Sequence, residues 1–270
     1  MQTGSEEHFA RVELASQGLN GLNPMAVRID LYAEARAAGS AEWSPEDTHA
    51  ATRKDRMKTT APITTLFLDI GGVLLNNGWD RHARKRAAKT FQLDSSDMEA
   101  RHRLVFEVYE QGRLSLDDYL RAVIFHEARS FSRAQFRRFM FAQSEADPRM
   151  IELVTELKAT HRINIAVVSN EAREVNAYRI HHFKLRPLVD FFVSSCFVHL
   201  RKPDPDIFRL ALDMAQVEAR RVVYVDDTSM FVDVAARLGI HGVLHTDYRT
   251  TAARLAALGL ARGNGHREPE

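Results

Sequence analysis

Short, nearly continuous runs of β-branched and aromatic residues recur along this chain at 63–69, 163–168, 189–195 and 221–225, with a weaker one at 240–245. Runs that are apolar at every position suit strands covered on both faces, as in a parallel sheet flanked by helices. The intervals carry helical spacing instead. Ile207, Leu210, Ala211, Met214 and Ala215 share one face, with Asp204 expected as N-cap and Pro205 in the first turn. Asp147–His161 and Thr228–Leu238 read the same way, the latter stopped by Gly239. This alternation predicts an α/β fold built on a doubly wound parallel sheet.

One stretch breaks the alternation. Residues 77–145 carry no strand signal and read as four helices, 79–92, 95–111, 115–126 and 132–143, with Gly112 ending the second and Ser115 and Ser132 capping the next two. The expected organisation is a core of 61–76 and 146–261, with 77–145 inserted as an all-helical cap over the first strand's end. Residues 1–60 read as a peripheral, loosely ordered extension with one helix, Pro24 to about Ala38, and Met57 offers a start just ahead of the first strand. The polar stretch 262–270 reads as a disordered tail. An apolar fraction of 45% and a charged fraction of 27% are ordinary for a globular chain. No apolar stretch approaches the roughly 20 residues that span a bilayer, and the N-terminus lacks a signal-peptide core, so the expected location is the cytoplasm. The single cysteine, Cys196, rules out an internal disulfide and reads as a small buried hydrophobe. A net charge of +1 and the absence of a basic patch with exposed aromatics leave nucleic-acid binding without support.

Polar residues gather where the apolar runs end. Asp69 closes the first run and is followed at once by Gly71 and Gly72; Ser169-Asn170 follows the second, Lys202-Pro203 the third, and Asp226-Asp227 the fourth. Parallel α/β sheets bind ligands beyond the carboxyl ends of their strands, and glycine lets backbone amides approach a phosphate or metal closely. A carboxylate, a hydroxyl, a fixed cation and an acidic pair make up a set for phosphoryl transfer with a divalent metal. Mg²⁺ prefers hard oxygen ligands, which Asp69, the Gly71 carbonyl and Asp226 or Asp227 supply. Lys202 adds a point charge, and the Ser169 hydroxyl, Asn170 and the Gly72 amide are placed to hold phosphoryl oxygens. Asp69 would attack phosphorus to give an aspartyl-phosphate.

In these residues the chain resembles the haloacid dehalogenase superfamily. Asp69-Ile-Gly-Gly-Val-Leu74 matches its first motif, Val168-Ser169-Asn170 its second, Lys202-Pro203 its third and Asp226-Asp227 its fourth, over about residues 63–245. The resemblance implies a Rossmann-like core, a C1-type helical cap at 77–145, an Mg²⁺-dependent hydrolase with Asp69 as nucleophile, and a small phosphorylated metabolite as substrate. One departure stands out. Phosphatases of the family usually carry a second Asp two residues after the nucleophile, and here that position is Gly71. General acid–base help is worth about 10²–10⁴ in rate, so either the substrate has a good leaving group that needs less protonation, or another group substitutes, with Asp80 and His82 as candidates, or activity is residual. Metal-independent 2-haloacid dehalogenation is the alternative, since dehalogenases also lack that Asp. Asp226-Asp227 argues against it, because paired carboxylates repel a substrate carboxylate. A weakly active binding or regulatory protein is the third reading.

Each of these residues also has a plainer use. Ser169-Asn170 doubles as the expected N-cap of a helix beginning near Glu171. Arg81, Arg84, Lys85, Arg86 and Lys89 read as a solvated helix face ahead of a substrate-attracting one. Trp79, Phe91, Phe106, Tyr109, Phe136, Phe139 and Met140 read as cap packing, and His181-His182 as helix-end dipole compensation. Asn77 and His82, near the hinge, are candidate substrate contacts. Oligomeric state is not legible.

Overall fold

The structure, a computed structural model, describes residues 61–263. The helix expected over Pro24–Ala38, the rest of 1–60, and residues 264–270 lie outside the described residues. Strand β1 (Thr65–Leu68) is followed by four helices, α1 (Arg81–Thr90), α2 (Ser95–Glu110), α3 (Leu116–Val123) and α4 (Arg133–Phe141). Then come α5 (Pro148–His161), β2 (Asn164–Ser169), α6 (Arg173–His182), β3 (Phe191–Ser194) and the short turn α7 (Ser195–Val198). The chain continues through α8 (Asp206–Ala215), β4 (Val222–Asp226), α9 (Ser229–Arg237), β5 (His241–Leu244) and α10 (Tyr248–Ala257). All pairings are parallel, in the order β3-β2-β1-β4-β5.

Side chains alternate across a strand, and both faces of this sheet are covered. Leu66, Leu68, Val167, Val223 and Val225 pack with Leu153 and Leu157 of α5 and Leu255 of α10. Phe67, Ala166, Val168 and Tyr224 face the other way, onto Ile207, Phe208 and Ala211 of α8 and Ala235 of α9. Burying each such side chain contributes about 1.5–3 kcal/mol, which is why positions 66–68, 165–168, 191–193 and 222–225 are all apolar or aromatic before the tip. The fold is therefore the expected Rossmann-like, doubly wound α/β sheet.

The inserted helices build a core of their own, around Trp79, Tyr109, Tyr119, Leu120 and Phe136, and it extends onto Ala172 and Val175 at the start of α6. Their starts follow local chemistry: Ser115 caps α3 through Asp118 N, and Ser132 with Gln135 forms a capping box on α4. Two caps differ from expectation. Helix α6 begins at Arg173 behind Ala172, so Ser169 and Asn170 cap nothing; their side chains are committed to the strand tips. Helix α8 starts one residue late, and Asp204 Oδ1 accepts instead from Asp206 N at 2.9 Å. Arg262, where the tail was expected to open, has its Nε 2.5 Å from Glu156 Oε2.

Candidate active site

The chain runs outward from β1 through β2 to β3, then returns on the far side of β1 as β4. The order reverses between β1 and β4, and a crevice opens at the carboxyl ends of strands at such a point. Leu68 is level with Val167 and Val225, so the next residue, Asp69, emerges beside Asp226. Its backbone N–H donates to Val225 O at 3.0 Å.

Asp69 is buried. Its Oδ1 accepts from Ile70 N at 2.8 Å and from Ser169 Oγ at 2.5 Å, while Oδ2 lies 3.1 Å from Lys202 Nζ. Burial raises its carboxyl to about 7, against the pull of Lys202 and with added repulsion from Asp226. Lys202 is fully buried, with Nζ 2.6 Å from Asp226 Oδ2 and 2.9 Å from the Tyr224 hydroxyl. Burial alone would lower its pKa. Asp69 and Asp226 outweigh that and hold it above the ordinary lysine value, so it stays cationic. Asn170 fixes its backbone from both sides: Nδ2 donates to Lys202 O and Oδ1 accepts from Lys202 N, each at 2.9 Å.

The two acids ending β4 divide their work. Asp226 is fully buried, its Oδ2 taken by Lys202 and the Tyr224 hydroxyl and its Oδ1 by Thr228 N at 2.7 Å. Asp227 is half-buried and receives only neutral donors, Asn77 Nδ2 at 2.9 Å and Thr228 Oγ1 at 3.2 Å. Gly72 sits against it at φ 72°, where a Cβ would stand 2.0 Å from Asp227 Oδ2. Only glycine permits that backbone and that approach.

Asp69, Asp226 and Asp227 each offer an oxygen within 4.8 Å of the others. Three hard anionic donors with one buried cation among them suit Mg²⁺, which takes carboxylates and water rather than a closed protein cage. A cavity of about 340 Å³ opens on this cluster, reaching Asp69, Gly71, Asn77, Asn170 and Asp227 on the core side and Trp79, Arg81, Phe106 and Tyr109 on the insert side.

Taken together, these contacts show which expected residues converge. Asp69, Ser169, Lys202, Asp226 and Asp227 form one cluster, with Gly71, Gly72, Asn77 and Asn170 around it. His82 does not. It is exposed on α1 and lines no part of the cavity, because Arg81 and Arg84, three residues apart, hold the inward face and His82 is rotated about 100° from Arg81. Arg84 likewise departs from the solvated face expected of it. It is buried, bonding Glu99 Oε1 at 2.7 Å and Trp79 O at 2.8 Å.

A family model of haloacid dehalogenase-like hydrolases matches residues 63–239. The chain belongs to this family. Over 72 residues it is 38% identical to bifunctional epoxide hydrolase 2 of Sus scrofa, a segment covering 27% of this chain and 13% of that protein. The chain thus spans only a small part of that curated relative. A HAD family enzyme of Bacteroides thetaiotaomicron matches with a TM-score of 0.58 at 20% identity, over 68% of this chain and 94% of that one. It has also been solved in complex with magnesium and inorganic phosphate. The L-2-haloacid dehalogenase of Xanthobacter autotrophicus matches with a TM-score of 0.51 at 16% identity, over 73% and 83% of the two chains. At such identities the likeness is one of fold. Among the described residues no helix is long and apolar enough to cross a membrane.

Two residues of this hydrolase site had no part in the sequence-level assignment. Glu171 and Arg179 are both buried and line the cavity, with Arg179 Nη1 2.5 Å from Glu171 Oε1. Arg179 also donates from Nε to Ser144 Oγ and from Nη2 to Asn76 O, each at 3.1 Å. The position of Glu171 directly after Ser169-Asn170 was a signal. A lone arginine two turns along α6 gave none.

Proposed function

We propose that this hydrolase is an Mg²⁺-dependent phosphatase acting on a small phosphorylated metabolite through an aspartyl-phosphate on Asp69. The observation that carries the reading is the gathering of three carboxylates within 4.8 Å of one another, two of them paired with a fully buried lysine. A haloacid is a monoanion and needs no such cluster, whereas a phosphate monoester is doubly negative and cannot meet a carboxylate until its charge is offset. The magnesium and phosphate complex of the Bacteroides enzyme supports the same reading.

Asp69, the Gly71 carbonyl and Asp227 would hold the cation, and Asp226, whose oxygens are already taken, would hold Lys202. When bound, Mg²⁺ supplies charge neutralisation at the phosphoryl oxygens and lowers the pKa of Asp69. The protein groups do the rest. Lys202 keeps Asp69 oriented, and Ser169 Oγ, 2.5 Å from Asp69 Oδ1, turns its donor to the incoming phosphoryl oxygen. Asn170 and the Gly72 amide border the same space. The insert, contributing Trp79, Arg81 and Tyr109 to the wall, excludes water and selects the leaving group.

The direct experiment measures p-nitrophenyl phosphate hydrolysis with and without Mg²⁺. Turnover should require the metal, and Asp69→Asn should lower it by about 10³-fold or more in a protein that still melts cooperatively. Chloride release from 2-haloacids without metal, and no phosphate release, would overturn the proposal in favour of dehalogenation. Residual hydrolysis untouched by Asp69→Asn would leave a binding protein.

A further inference from the structure

Hydrolysis of an unactivated ester creates an alkoxide or phenoxide that needs a proton as it leaves. On the cavity wall, among the described residues, carboxyls other than Asp69 and Asp227 come from Asp80, Glu110 and Glu171. Asp80 is committed as the N-cap of α1, its Oδ1 accepting from Ala83 N at 2.7 Å. Glu110 and Glu171 are each paired with an arginine at 2.5 Å, Arg201 Nε and Arg179 Nη1, and only Arg179 reaches the space beside Gly71. Glu171 follows directly on the Ser169-Asn170 tip, whose Ser169 Oγ bonds Asp69.

Arg179 ties Glu171 to the space beside Gly71. A Cβ built on Gly71 would stand 2.8 Å from Asn77 Oδ1 and 3.8 Å from Arg179 Nη1, the same nitrogen that lies 2.5 Å from Glu171 Oε1. The volume a side chain at 71 would fill is thus occupied by Asn77 and backed by the Arg179–Glu171 pair. Resting on the phosphatase reading above, we infer that Glu171 is the proton donor to the leaving group, positioned by Arg179, in place of an acid at Gly71. In the first step an Asp69 oxygen bonds to phosphorus, the bond to the ester oxygen breaks, and that oxygen takes the Glu171 proton. In the second, water attacks phosphorus and returns a proton to Glu171, and the bonding pair goes back to the Asp69 carboxylate.

The surroundings favour the protonated form more than water does. Burial lifts the Glu171 carboxyl above its usual value, against Arg179 of α6 and Lys202 across the site. Among the described residues, Glu110 and Tyr109 of α2 and Cys196 of α7 also interact electrostatically with it.

The test compares kcat/KM for p-nitrophenyl phosphate, whose leaving group needs no proton, with phenyl phosphate, whose leaving group does. Glu171→Gln should cost phenyl phosphate about 10²-fold or more and p-nitrophenyl phosphate less than about 10-fold. Wild type should show an alkaline limb on the phenyl ester alone, a readout that survives even if the variant does not fold. Equal losses on both esters, a shared alkaline limb, or the selective loss appearing instead in Glu110→Gln would overturn the assignment. Wild type inert toward both esters would instead sink the phosphatase reading itself, before any variant is made.

Discussion

The strand tips and the helical insert bury polar groups in opposite ways. At the tips, Asp69, Lys202 and Asp226 share one dry space, two carboxyl groups to one cation. In the insert, a neutral chain runs from Trp79 Nε1 to the Tyr119 hydroxyl and on to His102 Nδ1, 2.8 Å at each link, inside aromatic packing. In the first arrangement burial raises the Asp69 carboxyl to about 7, a cost to its charged form that a bound cation would relieve. The second is satisfied without any ligand. The strand-tip cluster is held in tension by its neighbours, and this chain in the insert is simply packed.

The largest expected effect follows from removing the cation that holds the cluster. Lys202→Met leaves two buried carboxylates facing each other and should destabilise the metal-free protein by about 3–5 kcal/mol, besides ending turnover. A variant melting with wild type would mean the tips are no more charged than the insert, and the contrast would be gone. Next in size is the division between the acids of β4. Asp227→Asn should weaken Mg²⁺ activation of p-nitrophenyl phosphate hydrolysis on the order of 10–100-fold, and Asp226→Asn should act first on stability. The opposite pattern would exchange their roles.

The smallest effect is also the most specific to the comparison. Asp69 favours its neutral form in the fold, with a carboxyl raised from 3.8 to about 7, so its contribution is intact at low pH and is lost as pH rises through about 7. His102 is neutral because burial, then Arg84, lowers it from 6.5 to about 4. Its contribution is intact above 6.5 and is lost as pH falls through about 4. Each group accounts for at most about 1.4 kcal/mol per pH unit inside its window. Urea melts of the metal-free protein should lose a fall in stability between about pH 3.8 and 7 with Asp69→Asn, and a rise in stability between about pH 4 and 6.5 with His102→Gln. Slopes that change in the same direction in both variants would remove the distinction between the two regions.

Much of this was legible in the residues alone. Continuous apolar runs located all five strands, and Ser115 and Ser132 marked helix starts, since period and capping are settled within a few residues. The helix over Tyr248–Ala257 went unread, and Ser169 and Asn170 were given a capping role they do not have. In both cases a pairing distant in sequence decides what the local pattern leaves open: Ser169 turns to Asp69, 100 residues away.

By itself the sequence determined the kinds of element, their order, and the four polar strand ends, because these depend on residue type and short-range spacing. Tertiary structure decided which neighbours those ends acquire. It turned Arg84 inward and His82 out, gave Asp226 to Lys202 and Asp227 to the open crevice, and set Arg179 beside Glu171 and Gly71. The physical reason is that burial and partner charge set the chemistry of an ionisable group. Both arise only when the sheet order brings distant loops into a single dry volume.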